Sequence, residues 1–142
     1  MFRTILVPTD GSTLSDKAIA SAIEFAKLCS AKVIGLSVAQ PDLYGPLSES
    51  AVTATNEENA LSMARSNVEK IVGIAKSSGV PCQISVVKSF SPAEEIINAA
   101  KRFDCDVIFM ASHGRTGLSK LMIGSETQKV LTGSTVPVMV FR

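Results

Sequence analysis

The chain has 142 residues, 46% of them apolar, and a formal net charge of +1; that is enough for one packed core, too little for two, and it excludes a wholly disordered chain. Aromatics are 5%, with no Trp, and no basic run or aromatic-interleaved patch occurs, so nucleic-acid binding has no electrostatic footprint. No apolar run approaches the ~18 residues of a membrane span and the first residues carry no signal-peptide pattern, so the expectation is one cytoplasmic domain over residues 1–142.

Apolar β-branched runs alternate with helical patterns along the chain. Arg3 to Pro8 reads as a first strand. A helix follows from Thr13 to about Cys29, with Ala18, Ile19, Ala22, Ile23, Phe25, Ala26 and Cys29 at helical spacing and Thr13 and Asp16 spaced as a capping box. Lys32 to Ala39 is the second strand. The segment from Gln40 to Ala54, rich in Pro, Gly and Ser, reads as a long loop, functional or mobile. Thr55 to Ser78 is a long helix, capped by Thr55 and Glu58 and closed by Gly79. Its stripe Met63, Val68, Ile71, Val72 and Ala75 reads as core, and Glu57, Glu58, Glu69 and Lys70 as its solvated face.

Cys82 to Lys88 is the third strand. Ser91-Pro92-Ala93-Glu94 starts the third helix, with Ser91 as cap and Glu94 reaching back, and the helix runs to about Arg102. Asp104-Cys105-Asp106 reads as a turn with Cys105 packing inward. Asp106 to Ser112 is the fourth strand, Ser125 to about Thr132 the fourth helix, and Pro137 to Phe141 the fifth strand. Five strands with helical crossovers imply an α/β fold, an open parallel sheet with helices on both faces. Cys29, Cys82 and Cys105 are far apart and form no Cys-x-x-Cys pair, so neither a zinc site nor a redox motif is suggested.

Ligands of open α/β sheets sit outside the carboxyl ends of the strands. Three segments follow such ends: Thr9-Asp10-Gly11, the loop from Gln40, and His113 to Ile123. The third holds Met110-Ala111-Ser112-His113-Gly114-Arg115 and then Gly124-Ser125. Its glycines let backbone N–H groups approach an anion, the following helix start adds a positive end, and Ser125 and Arg115 add a hydroxyl and a charge. The same residues suit a long turn with Ser125 capping the helix and Gln128 as its partner; spacing alone does not separate the two. Asp10 at the end of the first strand favours a ligand role over that of a turn residue, and Pro8 leaves its carbonyl open to a ligand. His113 is the single histidine. Ser112 beside it is expected to face the opposite way, so a hydrolase triad is disfavoured and His113 reads as a phosphate-loop donor or a solvent-facing residue.

These residues resemble the universal stress proteins that bind ATP, whose motif is Gly, two residues, Gly, nine residues, then Gly-Ser or Gly-Thr. Here Ala111, Gly114 and Gly124-Ser125 match in all but the first position. Pro8-Thr9-Asp10-Gly11-Ser12, Val38, and the closing Pro137-Val138-Met139-Val140 are similar to that family as well. The resemblance covers essentially the whole chain. It implies a Rossmann-type, adenine nucleotide alpha hydrolase-like sheet in the order 3-2-1-4-5. Adenosine is implied near Asp10, Val38 and Met110, and phosphates near Gly114, Gly124, Ser125 and Glu126.

The implied ligand is ATP, with Mg²⁺ as an optional companion that Asp10 reaches through the nucleotide. Glu126 stands out because its carboxylate would repel phosphates unless Arg115 or a metal intervened. The implied activity is ligand-biased interaction, with at most slow hydrolysis, in a homodimer paired through the last strand. Two alternatives stand beside it: a nucleotide-free dimeric module, with Ala111 marking a lost site, and an ATP-using ligase of the same fold.

Overall fold

The structure, a computed structural model, describes residues 1–41, 50–114 and 122–142, with the backbone alone for residues 50–55. The elements run β1 (Thr4–Pro8), α1 (Thr13–Cys29), β2 (Lys32–Ala39), α2 (Ser50–Ser78), β3 (Cys82–Lys88), α3 (Pro92–Arg102), β4 (Val107–Ala111), α4 (Ser125–Gly133) and β5 (Val138–Phe141). The strands form one sheet in the order β3-β2-β1-β4-β5, and every pairing is parallel.

Burial on both faces explains why the inner strands read as continuous apolar runs. On one face Ile5, Val7, Val107 and Phe109 pack with Ile19, Ile23 and Ala26 of α1 and with Ile71 and Ala75 of α2. On the other, Leu6, Ile34, Ile108 and Met110 pack with Ile96, Ala99 and Ala100 of α3 and with Val130 of α4. A row of phenylalanines, Phe2, Phe25, Phe109 and Phe141, adds ring contacts of 5.5–6.0 Å along the first face. Among the described residues no helix is long and apolar enough to cross a membrane.

Helix starts differ from the sequence expectations in four places. At α1 the cap is Ser12, whose Oγ accepts from Ser15 N; Asp16 instead forms an ion pair with Lys70 of α2 at 2.9 Å. Helix α2 begins at Ser50, not Thr55, because no Gly or Pro interrupts residues 50–72; the expected long loop is shortened accordingly, and its residues 42–49 lie outside the described part. Helix α3 follows Ser91, but the Ser91 side chain makes no cap bond. The Ala93 amide there donates to Glu126 Oε2 of α4 at 2.9 Å, so a tertiary contact replaces the local box. Helix α4 is capped by Gly124, with Ser125 as its first residue and Gln128 N donating to Gly124 O at 3.0 Å.

Candidate functional site

The winding reverses at β1, which has β2 on one side and β4 on the other. The ladder between β1 and β2 ends at the pair Pro8 and Leu36, whereas that between β2 and β3 continues to Ala39 and Lys88. Beyond Leu36 the β1-facing edge of β2 therefore backs no strand. A cavity of about 540 Å³ opens there, over the carboxyl ends of β1, β2 and β4. Its size is that of a small-molecule or cofactor pocket.

Pro8, Thr9, Asp10, Val38, Met110, Ala111, His113, Gly114, Gly124, Ser125 and Glu126 all line this cavity. The sequence expectations thus converge on one space, although they come from four separate stretches of chain. Arg115 lies outside the described residues.

Buried hydroxyls hold the floor. Thr9 Oγ1 shares a hydrogen bond with Ser15 Oγ at 3.1 Å and accepts from Gly11 N at 3.1 Å. Ser37 Oγ donates to the Thr9 carbonyl at 2.9 Å, and Thr9 N donates to the Leu36 carbonyl at 2.8 Å. Thr9 thus spends its hydroxyl, amide and carbonyl on shaping the turn, a positioning part rather than a contact of its own. Thr127 Oγ1 donates to the Ala111 carbonyl at 3.0 Å, which ties the start of α4 to the end of β4. Ser15, Ser37 and Thr127 escape a sequence reading; their only signal is a hydroxyl residue where a strand end or a helix start calls for an apolar or capping one.

Asp10 divides its work. Oδ1 accepts from Ser12 N at 2.9 Å, a turn bond that helps fix the entry to α1. Oδ2 lies over Gly114, so close that a Cβ on Gly114 would stand 2.5 Å from it. A side chain at 114 would push the Asp10 carboxylate from its present place at the cavity wall.

Gly124 has a structural reason of its own. Its φ of −63° suits any residue, but a Cβ would come within 3.2 Å of His113 Cα and 3.3 Å of the Ser112 carbonyl oxygen. Gly124 N donates to that same carbonyl at 2.7 Å. The missing side chain lets two stretches of chain touch beside the cavity that Gly124 lines.

The first intrahelical bond of α4 runs from Gln128 N to Gly124 O, so the amides of Ser125, Glu126 and Thr127 have no helical partner. These amides and the helix dipole form an electropositive rim. The Glu126 carboxylate does not stand in it: Oε2 accepts from Ala93 N at 2.9 Å and Oε1 from Lys129 Nζ at 3.0 Å. The carboxylate charge is drawn to the positive start of α3.

Ser112 and His113 also depart from expectation. The strand ends at Ala111, the alternation lapses, and Ser112 Oγ lies 3.0 Å from His113 Nδ1. In a serine-hydrolase arrangement the serine faces Nε2 and the carboxylate takes Nδ1. Here Ser112 occupies Nδ1 and is only 3% exposed, a geometry suited to orienting the ring.

A further wall comes from α2, where Ala60, Met63, Ala64 and Asn67 line the cavity, with Pro92 and Ile96 of α3 also in its lining. Met63, expected in the core stripe, is 49% exposed, while Ala64, Val68, Ile71 and Ala75 are buried. The apolar stripe is continuous, but its upper end has left the sheet and stands over the cavity.

A model of the universal stress protein family matches residues 1–142. The chain belongs to that family. Universal stress protein YxiE of Bacillus subtilis is 32% identical over 150 residues, across 100% of both chains. Universal stress protein MJ0577 of Methanocaldococcus jannaschii is 30% identical, over 100% of this chain and 96% of the relative. A solved structure of MJ0577 has a TM-score of 0.85 at 29% identity, covering 99% of this chain and 96% of that one. Two more distant structures share the fold. One is a universal stress protein in complex with cAMP, with a TM-score of 0.72 at 22% identity over 99% and 97% of the chains. The other is from Archaeoglobus fulgidus in complex with dAMP, with a TM-score of 0.66 at 19% identity over 99% and 98%.

Proposed function

We propose that this universal stress protein binds an adenine nucleotide, ATP in the first place, and acts in stress response or signalling through ligand-biased interaction. The observation that carries the reading is the cavity at the switch point, lined at one end by the start of α4 and at the other by the open edge of β2. Phosphates take the α4 end, where Ser125 and the amides of residues 125–127 face them. Adenosine takes the end near Asp10, Val38 and Met110. The cAMP and dAMP complexes of fold relatives support an adenine nucleotide as the ligand class.

Mg²⁺ fits as a companion of the phosphates. Among the described residues no group of three metal-binding side chains occurs, and Mg²⁺ commonly relies on one or two carboxylates together with substrate phosphates. Asp10 would supply the carboxylate, and the ion would screen phosphate charge. Residue geometry supports binding over turnover: Ser112 is buried and pairs with the Nδ1 of His113.

Calorimetry on the purified chain with ATP, AMP, cAMP and adenosine, with and without Mg²⁺, tests this reading. Saturable binding of ATP with an affinity above that of adenosine is expected. Absence of binding by all four at millimolar concentration would favour the nucleotide-free module, for which Ala111 at the cavity wall is the supporting observation. Release of pyrophosphate from ATP would favour the ligase.

The chain is also proposed to pair with a second copy through β5. That strand bonds to β4 on one side only, and Met139 on it is 42% exposed; such an edge favours association. Sedimentation at micromolar concentration should show a dimer that Met139→Lys disrupts. A wild-type monomer, or an unchanged dimer in the variant, would remove the pairing.

A further inference from the structure

We propose that one face of α2 is the specificity wall for the nucleoside part of the ligand, with Asn67 as the residue that reads it. This deepens the proposed function and rests on it. Residues 60, 63, 64 and 67 follow the spacing i, i+3, i+4, i+7 of a single helical face, and that face lines the cavity. Ala60 and Ala64 keep it shallow. Met63 lays a half-exposed thioether along it, a polarizable surface suited to an aromatic ring.

Asn67 is the polar member of the face. A carboxamide offers two donors and an acceptor. The hydrogen bonds of the described residues give the Asn67 side chain no protein partner: the neighbouring link from α2 to α1 is Lys70 to Asp16, and the link from α2 to β3 is Lys88 to Glu57. Asn67 is half-buried, in a wall otherwise apolar. A carboxamide so placed matches paired donors and acceptors such as those of adenine, which Asn recognises through an amino group and a ring nitrogen. The anion-suited groups stand apart from it, at the starts of α4 and of the loop after β4. The α2 face is thus the nucleoside side of the cavity.

Asn67→Leu removes the hydrogen bonds and keeps a side chain of similar size. Affinities for ATP and adenosine, measured by calorimetry, should both fall about tenfold and by the same factor, with the melting temperature of ligand-free protein unchanged. Should Asn67→Leu not fold, Asn67→Ala removes the donors and the acceptor without adding a charge and carries the same test. ITP differs from ATP at the base and 2′-deoxy-ATP at the sugar. In the variant, collapse of the ATP-over-ITP preference assigns the contact to the base, and collapse of the ATP-over-deoxy-ATP preference assigns it to the sugar. Unchanged affinities, a loss confined to ATP, or both preferences intact would overturn the inference. Wild-type protein that binds neither ATP nor adenosine would overturn the proposed function and this wall with it; wild-type binding with unaffected variants would overturn the wall alone.

Discussion

The two ends of the sheet use similar residues to opposite effect. At the amino ends, Asp106 Oδ2 accepts from Arg3 N at 2.6 Å and Thr4 N at 2.8 Å, so one carboxylate seals the start of β1 against β4. At the carboxyl ends, Asp10 gives one oxygen to the turn and holds the other against Gly114. Of the buried polar residues among those described, Thr4 stands at the amino ends, whereas Thr9, Ser15, Ser37, Ser112 and Thr127 gather around the carboxyl ends. Polarity at one end closes the fold. At the other it frames a space, because β2 outruns β1 and His113, Gly114 and Gly124 line the gap beyond it. Changes at the carboxyl ends should therefore move ligand affinity with little effect on stability, and changes at the amino ends should do the reverse.

The largest effect is expected from Ser125→Asp. Aspartate suits the first turn of a helix and its dipole, so folding should be kept. The same charge stands among the amides where phosphates are proposed to sit. Like charges about 4 Å apart at a protein surface repel by roughly 4 kcal/mol at most, so a loss of ATP affinity of about a hundredfold is expected. Adenosine, without phosphates, should lose little. Calorimetry with both ligands checks this; equal losses, or none, would return Ser125 to a purely helical role and erase the contrast between the two ends.

Next in size is the pair Asp10 and Gly114. Asp10→Ala removes a charged hydrogen-bonding group, worth about 1.5–3 kcal/mol, and should weaken ATP at least tenfold. Gly114→Ala places a methyl where Asp10 Oδ2 now lies, an overpacking of typically about 1–3 kcal/mol. Because both act through one contact, the double variant should bind no more weakly than Asp10→Ala alone. Additive losses would mean that Gly114 and Asp10 serve the ligand separately. A lowered melting temperature of Asp10→Ala with affinity intact would make Asp10 a turn residue only.

Gly124 shows how far the sequence could be read here. The strand and helix succession, the parallel sheet and the turn residues Pro8, Asp10, Gly114, Gly124 and Ser125 were legible, because strand runs, β-branched residues and glycine-rich turns are local signals. The strand order and the places of Val38, Met110 and Glu126 came with the resemblance to universal stress proteins. The reason for Gly124 was not legible, since it depends on His113 and Ser112 crossing it in space. Neither was the release of Glu126 to Ala93, a contact between α4 and α3. Met63 and Asn67 were missed because a helical apolar stripe looks the same over a sheet as over a cavity. For Gly124→Ala the expected cost is accordingly one of stability, about 1 kcal/mol, with ATP and adenosine affected alike. A loss confined to ATP would restore the ligand-clearance explanation.

The smallest effect tests the closed end. The backbone amide of Arg3 and then that of Thr4 hold the Asp106 carboxyl below its ordinary value of 3.8. A carboxylate with a lowered pKa stabilises the fold above the unfolded value, and that stability is lost as pH falls through the folded one. Asp106→Asn keeps an acceptor but not the charge. It should lower the melting temperature by a few degrees at neutral pH, corresponding to roughly 1 kcal/mol, the low end for charged hydrogen bonds because the site is partly open to water. The gap between wild type and variant should stay constant from pH 8 to about 5 and narrow as pH falls below about 4, where Asp106 of the unfolded chain takes up a proton before the folded carboxylate does. Neighbouring Cys105 adds nothing in this window, because burial pushes its thiol up to about 11. ATP affinity should be unchanged throughout, since the clamp lies at the opposite end of β4 from the cavity. A gap independent of pH would show that Asp106 acts by shape alone, and a loss of ATP affinity would show that the two ends of the sheet are not independent.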